Sequence, residues 1–314
     1  RRRQRQMCIR DRNYITNEEI ETVVKLALKL KKAILLEGEA GTGKTYLAKC
    51  VADSLNAKLI RIQCFEGISK EDVFCEFNYQ KQLLRIQINN IKTKNVKEIE
   101  QNIFSEEYLI EKALLQFLKE KRAVLLIDEI DKADEEFEAF LLEFLEEKQL
   151  TINEINKTIK NNNELFLVFI TSNNKRELSE ALKRRCIYLY LDYPSKEQEI
   201  EIIKLHCKDN FNRKLAEKVV KIVNNIRKLD LKKNVSISET LEFYKSLLIL
   251  NKNDIDKETF LSLLNVLLKY KEDVETVKAE VDNILEIDDK IDEHENKVEE
   301  DKKEIDISQF DKFD

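Results

Sequence analysis

Glycine is scarce in this chain and concentrated at one place. Only four of the 314 residues are glycine, and three of them, Gly38, Gly41 and Gly43, lie within six positions. Glycine lets the backbone adopt conformations and approach other groups in ways that a side chain would prevent. The stretch reads GEAGTGKT, which fits the pattern G-x-x-x-x-G-K-[ST] and follows the apolar run AILL. A short buried strand followed by this pattern predicts a phosphate-binding loop.

The chemistry of a nucleoside triphosphate explains the spacing of this pattern. Glycines leave the backbone N–H groups of the loop free to point at phosphate oxygens. Lys44 is placed to neutralise the phosphates, and the hydroxyl of Thr45 is placed to ligate Mg²⁺. The alternative interpretation is a glycine-rich turn before a helix that happens to carry Lys-Thr. The predicted nucleotide-binding residues are Gly38, Glu39, Ala40, Gly41, Thr42, Gly43, Lys44 and Thr45.

A pair of carboxylates supplies the second chemical signature. Asp128 and Glu129 directly follow the apolar run AVLLI. They are therefore expected at the carboxyl end of a buried strand, the edge at which open α/β sheets bind ligands. There Asp128 would hold Mg²⁺, usually through its water shell, and Glu129 would orient and polarise the attacking water. The alternative is a strand that ends in a solvated acidic turn, because further acidic residues follow it.

One amide and two arginines complete the set of predicted catalytic residues. Asn173 follows the apolar run at 165–170, so its side chain is expected at the same sheet edge, near the γ-phosphate or the water. On its own, an Asn-rich turn explains this residue better. Arg184 and Arg185 precede the last predicted strand, from which a guanidinium can reach a neighbouring subunit's nucleotide. Two adjacent arginines on a surface helix are otherwise ordinary solvated charge.

The order of apolar segments predicts the fold class. Five segments read as strands, and four of them alternate with helical segments, which is typical of a three-layer α/β domain with a parallel sheet. Helices are expected over 70–90 and 107–118 and a hairpin over 151–159, and only helical periodicity follows from Pro194 to about Tyr270. The predicted strands span residues 33–37, 59–63, 123–127, 165–170 and 187–191.

Charge is distributed unevenly along the chain. Residues 1–12 carry a net charge of +5 and residues 271–314 a net charge of −11, whereas residues 13–270 are neutral overall. A neutral body argues against nucleic acid as a partner. Four segments are expected: a non-native or disordered basic arm (1–12), a nucleotide-binding core (13–193), a helical lid (194–270) and an acidic, partly helical or disordered tail (271–314).

Signatures of membrane, secreted and zinc proteins do not occur in the sequence. The longest apolar run, 165–170, is far too short for a membrane span, and the six cysteines form no C-x-x-C pair. No apolar signal-peptide region follows the N-terminal arginines. We therefore expect a cytoplasmic protein with no membrane span.

The ordered motifs GEAGTGKT, LLIDEID, FITSNN and ALKRRC resemble those of the AAA+ ATPases. The segments IQCFEG at 62–67 and TSNNKRELSEALKRRCIYLYLDYP at 171–194 are similar, more narrowly, to the MoxR-like branch and its CoxD-type members. This resemblance implies a phosphate-loop core with a five-stranded parallel sheet, followed by a small all-α lid. It also implies ATP and Mg²⁺ held between the subunits of a ring-shaped homo-oligomer, commonly a hexamer.

The resemblance assigns roles to individual residues. Many AAA+ lids present an arginine to the γ-phosphate, whereas here Glu239 lies near that position, so the resemblance assigns no sensor residue to the lid. The assigned roles are Walker A for Lys44 and Thr45, Walker B for Asp128 and Glu129, first sensor for Asn173, and the finger that acts on a neighbouring subunit for Arg185, with Arg184 second.

The resemblance further implies Mg-dependent ATP hydrolysis that drives the remodelling or maturation of protein clients. Family members act with von Willebrand A-type partner proteins in the maturation of metalloenzymes. Two alternatives stay open: a nucleotide-dependent assembly scaffold with negligible turnover, and a DNA-directed motor or loader. The Asp128–Glu129 pair favours hydrolysis over a scaffold.

Overall fold

The computed structural model describes residues 18–90 and 105–285. These residues form two units, one extending through Tyr193 and the other beginning at Pro194. The basic arm expected at residues 1–12 and the acidic segment 286–314 lie outside the described residues. Within the described ranges, no helix is long and apolar enough to cross a bilayer.

The first unit alternates strands with helices. Its strands are β1 (Ala33–Glu37), β2 (Lys58–Gln63), β3 (Cys75–Phe77), β4 (Leu109–Glu111), β5 (Ala123–Asp128), β6 (Gln149–Ile152), β7 (Lys157–Lys160), β8 (Leu167–Ser172) and β9 (Cys186–Tyr190). Its α-helices are α1 (Glu18–Leu30), α2 (Lys44–Ser54), α3 (Lys70–Val73), α4 (Tyr79–Asn90), α5 (Ala113–Lys119), α6 (Glu135–Glu147) and α7 (Glu180–Arg185).

Five strands form one parallel sheet in the order β2-β5-β8-β1-β9. The predicted five-stranded parallel sheet is therefore confirmed. Because β8 pairs with both β5 and β1, the carboxyl ends of these three strands are adjacent. The segments that follow β1, β5 and β8 in the chain all emerge at this edge, which is where α/β sheets bind ligands.

Helices cover both faces of the sheet, as a three-layer domain requires. Alternate residues of β1 enter different cores, so that Leu35 packs in one cluster and Leu36 in another. Residues of α5 and α6 close the cluster of Leu35, and residues of α1 and α2 close that of Leu36. Burial on both faces explains why the central strands are apolar throughout instead of alternating.

Strands interrupt two of the predicted helices. The sequence predicts a helix over 70–90, but β3 separates α3 from α4, and β4 likewise precedes α5 within the segment 107–118. β3 and β4 pair with each other in antiparallel orientation, with Phe77 opposite Leu109. The pairing joins segments that are distant in the chain, so local periodicity does not reveal it.

The hairpin expected over 151–159 is formed by β6 and β7. The next strand, β8, begins at Leu167 and not at Leu165 as predicted. The shift occurs because Oδ1 of Asn163 accepts the N–H of Leu165 at 3.0 Å and keeps it in a turn. At its other end β8 continues to Ser172, which pairs with Glu37 of β1.

The second unit is built from helices: α8 (Lys196–His206), α9 (Arg213–Ile226), α10 (Ile237–Ile249), α11 (Lys257–Leu267) and α12 (Lys271–Ala279). Ser195 and Gln198 form the capping box that their spacing predicts at the start of α8. Val277, Val281 and Ile284 are buried in the core of this unit. The packing therefore extends past residue 270, where the sequence suggests that the lid ends.

Candidate functional site

The glycine-rich loop joins β1 to α2 at the carboxyl edge of the sheet. Its three glycines all have positive φ angles, 154° for Gly38, 85° for Gly41 and 95° for Gly43. A Cβ on Gly38 would lie 2.2 Å from the backbone oxygen of Leu191, so this position has no room for a side chain. Gly43 caps α2 in a left-handed conformation that favours glycine. The loop thus ends at the N-terminus of a helix, where the helix dipole attracts anions.

Lys44 is buried, and its ammonium turns back into the loop. Nζ donates hydrogen bonds to the carbonyl oxygens of Gly38 at 2.8 Å and Glu39 at 2.7 Å. Burial lowers the pKa of Lys44 below its usual value, and the carboxylates of Asp131 and Asp128 oppose this shift. A desolvated ammonium with acidic neighbours is suited to receive an anionic ligand, because the ligand would favour its charged form.

The remaining loop side chains contact the loop itself and the end of β9. The hydroxyl of Thr42 donates to the carbonyl oxygen of Glu39 at 3.0 Å. The carboxylate of Glu39 accepts a hydrogen bond from the hydroxyl of Tyr193 at 3.1 Å, and Ala40 is exposed. These contacts fix the shape of the loop, so that its backbone is the part suited to cradle phosphate groups.

Asp128, the last residue of β5, is buried at the same sheet edge. Its Oδ1 accepts hydrogen bonds from the hydroxyls of Thr45 at 3.0 Å and Thr171 at 2.6 Å. Its Oδ2 accepts a hydrogen bond from Nε of Arg61 at 3.0 Å and forms an ion pair with the same guanidinium. Because Thr45 directly follows the glycine-rich loop, the structure brings the two sequence signatures into contact.

Glu129 adopts a left-handed backbone conformation, with φ 58° and ψ 52°. Its N–H donates to the hydroxyl of Thr171 at 2.9 Å. Its carboxylate accepts hydrogen bonds from Nε2 of Gln63 at 2.8 Å and Nδ2 of Asn173 at 3.3 Å, and it pairs with Lys132 at 2.6 Å. Residues other than glycine in this conformation are uncommon and concentrate at functional sites. The turn directs the side chain of Glu129 toward the ends of β2 and β8.

Asp131 fixes the segment that follows β8. This buried carboxylate accepts the backbone N–H groups of Asn173 and Lys175, each at 3.2 Å. The backbone of Asn173 is therefore anchored to the turn that carries Glu129. Asn173 lies where the sequence predicts it, beside the carboxylates, and its side chain is in contact with Glu129.

The sequence predicts no role for four residues of this site, although the last two lie within the motifs LLIDEID and FITSNN: Arg61, Gln63, Asp131 and Thr171. Arg61 and Gln63 are alternate residues of β2, which pairs with β5 so that Gln63 lies opposite Asp128. The alternation in LIRIQ indicates a half-buried strand, but it does not reveal which strand lies beside it. The polar side chains at the end of this strand are the sequence signal that could have indicated a role for Arg61 and Gln63 at the edge of the sheet.

The two arginines of α7 lie apart from the carboxylates of Asp128 and Glu129. The guanidinium of Arg185 donates to the carboxylate of Glu146 on α6 at 2.7 Å and to the carbonyl oxygen of Ala181 at 3.1 Å. Arg184 is exposed. Among residues 18–90 and 105–285, neither arginine forms a hydrogen bond or ion pair with Asp128 or with Glu129. Within one chain, they are thus not brought together with the other predicted residues.

Glu239 of the second unit, near the position at which the resemblance implies an arginine, has local partners. Its carboxylate accepts the N–H of Ser236 in the capping box of α10. It also forms an ion pair with Lys233 at 2.8 Å. Glu239 therefore stabilises the start of a helix in its own unit.

The oxygen atoms around Asp128 suit a magnesium ion. Mg²⁺ is usually bound by one or two carboxylates together with substrate phosphates, and not by a cage of protein ligands. The carboxylate of Asp128 and the hydroxyl of Thr45 are two hard oxygen donors in contact with each other. In the part of the chain that the structure describes, no group of three or more His, Cys, Asp or Glu residues could hold a metal. A magnesium ion held here would take its further ligands from water and from phosphate oxygens.

Comparison with known families agrees with this geometry. Residues 33–186, just under half of the chain, match the model of the AAA domain family (dynein-related subfamily). The match includes the glycine-rich loop, Asp128, Glu129 and Asn173. Residues 33–186 form an AAA+ ATPase domain. The AAA+ domain binds ATP together with Mg²⁺ and hydrolyses it.

Individual relatives are distant. An uncharacterized protein of Staphylococcus saprophyticus is 25% identical over 76% of this chain and 84% of its own length. The gas vesicle ATPase GvpN of Haloferax mediterranei is 23% identical over 67% of this chain, and the chain spans only 60% of that protein. Among solved structures, a variant of RuvB from Thermotoga maritima has a TM-score of 0.49 and 20% identity, with 81% of this chain and 71% of that chain covered.

Proposed function

We propose that Lys44 and Thr45 perform the Walker A roles of this ATPase, that Asp128 and Glu129 perform the Walker B roles, and that Asn173 is its first sensor. The hydrogen bond from Thr45 to Asp128 carries this proposal, because it joins the phosphate loop to the metal-binding carboxylate. Arg185 is the proposed finger that acts on the nucleotide of a neighbouring subunit, and Arg184 is the second candidate.

Each proposed role follows from the surroundings of the side chain. Lys44, turned into its loop, compensates phosphate charge, and the loop N–H groups orient the phosphates. Thr45 and Asp128 would hold Mg²⁺, which supplies charge compensation for the phosphate oxygens when bound. Glu129 accepts a hydrogen bond from the attacking water and orients it. The amide of Asn173 donates to Glu129 and thereby positions its carboxylate at the sheet edge.

We further propose that the chain works as a ring-forming, MoxR-like ATPase of the CoxD type, most simply a hexamer, that remodels or matures protein clients. The motifs described above support the assignment to this branch, and the similarity to a gas vesicle ATPase supports an ATP-driven role. Two features support action on a neighbour in a ring: Arg185 has no bond to its own chain's Asp128 or Glu129, and it lies at the end of α7. A von Willebrand A-type protein is the proposed partner.

A trapped variant of the full chain tests this function. In Glu129→Gln, ATP binding is expected to persist while steady-state phosphate release falls by about 10²-fold or more, because the amide no longer orients water as a carboxylate does. The ATP-bound variant is expected to form a ring by native mass spectrometry and to retain partner or client proteins that it releases in ADP. Lys44→Ala, which is expected not to bind ATP, is the matched control.

The outcomes separate the parts of the proposal. Unchanged phosphate release by Glu129→Gln would contradict the role of Glu129, and ATP affinity retained by Lys44→Ala would contradict the loop assignment. Retention of the same proteins in ATP and ADP would contradict remodelling while leaving the ATPase activity standing.

A further inference from the structure

The carboxylate of Asp128 has no hydrogen-bonding capacity left for a metal ion. A carboxylate offers about four lone-pair positions. Thr45 and Thr171 donate to Oδ1, and two nitrogen atoms of Arg61, Nε and Nη2, donate to Oδ2. One of these partners must therefore leave before Asp128 can serve as a metal ligand.

The three partners differ in how easily they can leave. Thr171 is buried on a central strand, where its hydroxyl also accepts the N–H of Glu129. Thr45 would itself become a metal ligand under the proposed function. The side chain of Arg61, by contrast, is 51% exposed, and β2 lies at the edge of the sheet. Its guanidinium can move into solvent, where water satisfies its N–H groups, and the incoming metal ion compensates the charge of Asp128, which makes this the least costly exchange at this carboxylate.

We propose that Arg61 is an exchangeable counter-ion of the metal site: it neutralises Asp128 when no metal is bound and must withdraw when Mg²⁺ binds. This inference rests on the proposed role of Asp128 as the metal-binding carboxylate. Arg61 is in this respect a positioning residue, because it acts through Asp128 and not on the phosphates.

With Arg61 as the counter-ion of Asp128, metal binding at this carboxylate depends on whether a nucleotide is present. Without a nucleotide, a metal ion competes with a guanidinium that forms two bonds to the same carboxylate oxygen. With a nucleotide present, phosphate oxygens add ligands for the metal, and they also offer a new anionic partner to the displaced guanidinium. The ion pair thus disfavours Mg²⁺ in the empty site more strongly than in the loaded site.

The test measures binding of Mn²⁺, a paramagnetic substitute for Mg²⁺, to the full chain by electron spin resonance. The chain has 61 acidic residues that can attract cations, so the signal of the site is the part that Asp128→Asn abolishes. Without nucleotide, we expect the Asp128-dependent site of Arg61→Gln to bind Mn²⁺ about three- to tenfold more tightly than that of the wild type. The reason is that a half-exposed ion pair no longer competes with the metal ion. With a non-hydrolysable ATP analogue present, the ratio of the Mn²⁺ affinities of Arg61→Gln and the wild type is expected to fall toward one.

Lys58→Gln is the matched control. Lys58 lies on the same strand, is 55% exposed and is also ion-paired, but its partner is Glu120. The substitution removes the same charge from β2, so its effect on the Asp128-dependent signal should stay within about twofold. Arg61→Lys keeps the positive charge but loses the planar guanidinium with its two N–H donors to Asp128. We therefore expect its Mn²⁺ affinity to lie between those of the wild type and Arg61→Gln.

Equal affinities of Arg61→Gln and the wild type, or an equal gain in Lys58→Gln, would overturn the inference. The same holds if neither the wild type nor Arg61→Gln shows any Asp128-dependent binding. A wild-type chain that binds the ATP analogue without any dependence on Mg²⁺ or on Asp128 would instead overturn the proposed metal site, and this inference with it.

Discussion

Asp128 and Glu129 are adjacent in the sequence but differ in their surroundings. Asp128 is buried and saturated by two hydroxyls and a guanidinium. Glu129 is partly exposed, and amide groups and a lysine hold it. A buried carboxylate in contact with a second oxygen donor, the hydroxyl of Thr45, suits a metal ligand, whereas a carboxylate within reach of solvent suits the orientation of water. The left-handed turn at Glu129 produces this difference, because it sends the second carboxylate away from the direction of the strand.

Gly38 allows a prediction at the scale of one residue. In Gly38→Ala, the added Cβ would meet the backbone oxygen of Leu191 at 2.2 Å, and the backbone has φ 154°. We expect the free energy of unfolding to fall by roughly 2–4 kcal/mol, together with a loss of ATP affinity, because either the loop or the segment after β9 must move. Urea unfolding followed by far-UV circular dichroism measures this, since the chain contains no tryptophan.

Gly67→Ala is the matched control for this prediction. Gly67 also has a positive φ, 80°, but no atom lies within 4 Å of its expected Cβ. Only backbone strain of about 1 kcal/mol is expected there, with ATP affinity unchanged. Equal destabilisation by the two substitutions would show that the contact with Leu191 is not what excludes a side chain at position 38.

At the scale of elements, α6 holds both ends of α7. The buried carboxylate of Glu138 forms an ion pair with Arg176 and accepts the N–H of Ser179, the residue that caps α7. At the other end of α7, Arg185 pairs with Glu146 of the same helix α6. The helix that carries the proposed finger is therefore positioned by α6, the helix that follows the turn at Glu129.

Glu138→Gln tests the buried contact between these helices. The substitution leaves the guanidinium of Arg176 facing a neutral amide, so we expect a loss of roughly 2–3 kcal/mol in the free energy of unfolding. Glu146→Gln, on the same helix, removes only an exposed ion pair and should cost less than about 1 kcal/mol. Urea titrations of both variants measure the difference, and similar losses would contradict a special contribution of Glu138.

Elements whose signals are local could be predicted from the sequence. The five strands of the sheet are continuous apolar runs, and GEAGTGKT and the Asp128–Glu129 pair are contiguous motifs, so fold class and the centre of the site follow from short segments. The pairing of Phe77 with Leu109 and the approach of Arg61 to Asp128 depend on strands that are distant in the chain. Such contacts are set by tertiary packing, which local periodicity does not encode.

At the scale of the whole molecule, the helical unit has a polar centre of its own. Glu199 of α8 is fully buried and forms two hydrogen bonds with the guanidinium of Arg227, which follows α9. It also accepts the hydroxyl of Thr240 on α10. A buried pair with its partners satisfied joins three helices in one arrangement. The unit that begins at Pro194 therefore has the internal contacts needed to hold its own fold.

The proposed ring allows a prediction that can be tested only with two different variants mixed in one assembly. If Arg185 acts on a neighbour, Arg185→Ala and Lys44→Ala should each lose ATP turnover by about 10³-fold or more, yet mixtures of the two should regain a measurable fraction. In a mixed ring, the Lys44→Ala subunit supplies the arginine and the Arg185→Ala subunit supplies the intact loop. Phosphate release over a series of mixing ratios measures the recovery.

Arg184→Ala mixed with Lys44→Ala is the control for this experiment. Arg184 is the second candidate, and its exposed side chain has the same charge at the neighbouring position. Turnover close to wild type in Arg184→Ala alone would assign the finger to Arg185. Inactive Arg185→Ala that no ratio of partners rescues would place the action of Arg185 within its own subunit.

The inward turn of Lys44 has a consequence for a molecule that repeatedly gains and loses its ligand. With two carbonyl groups of its own loop as acceptors, the ammonium has partners even when no phosphate is present. In the empty loop, the buried charge of Lys44 is thus not left without a hydrogen-bond partner. The ammonium group therefore has hydrogen-bond acceptors both before a nucleotide binds and after it has left.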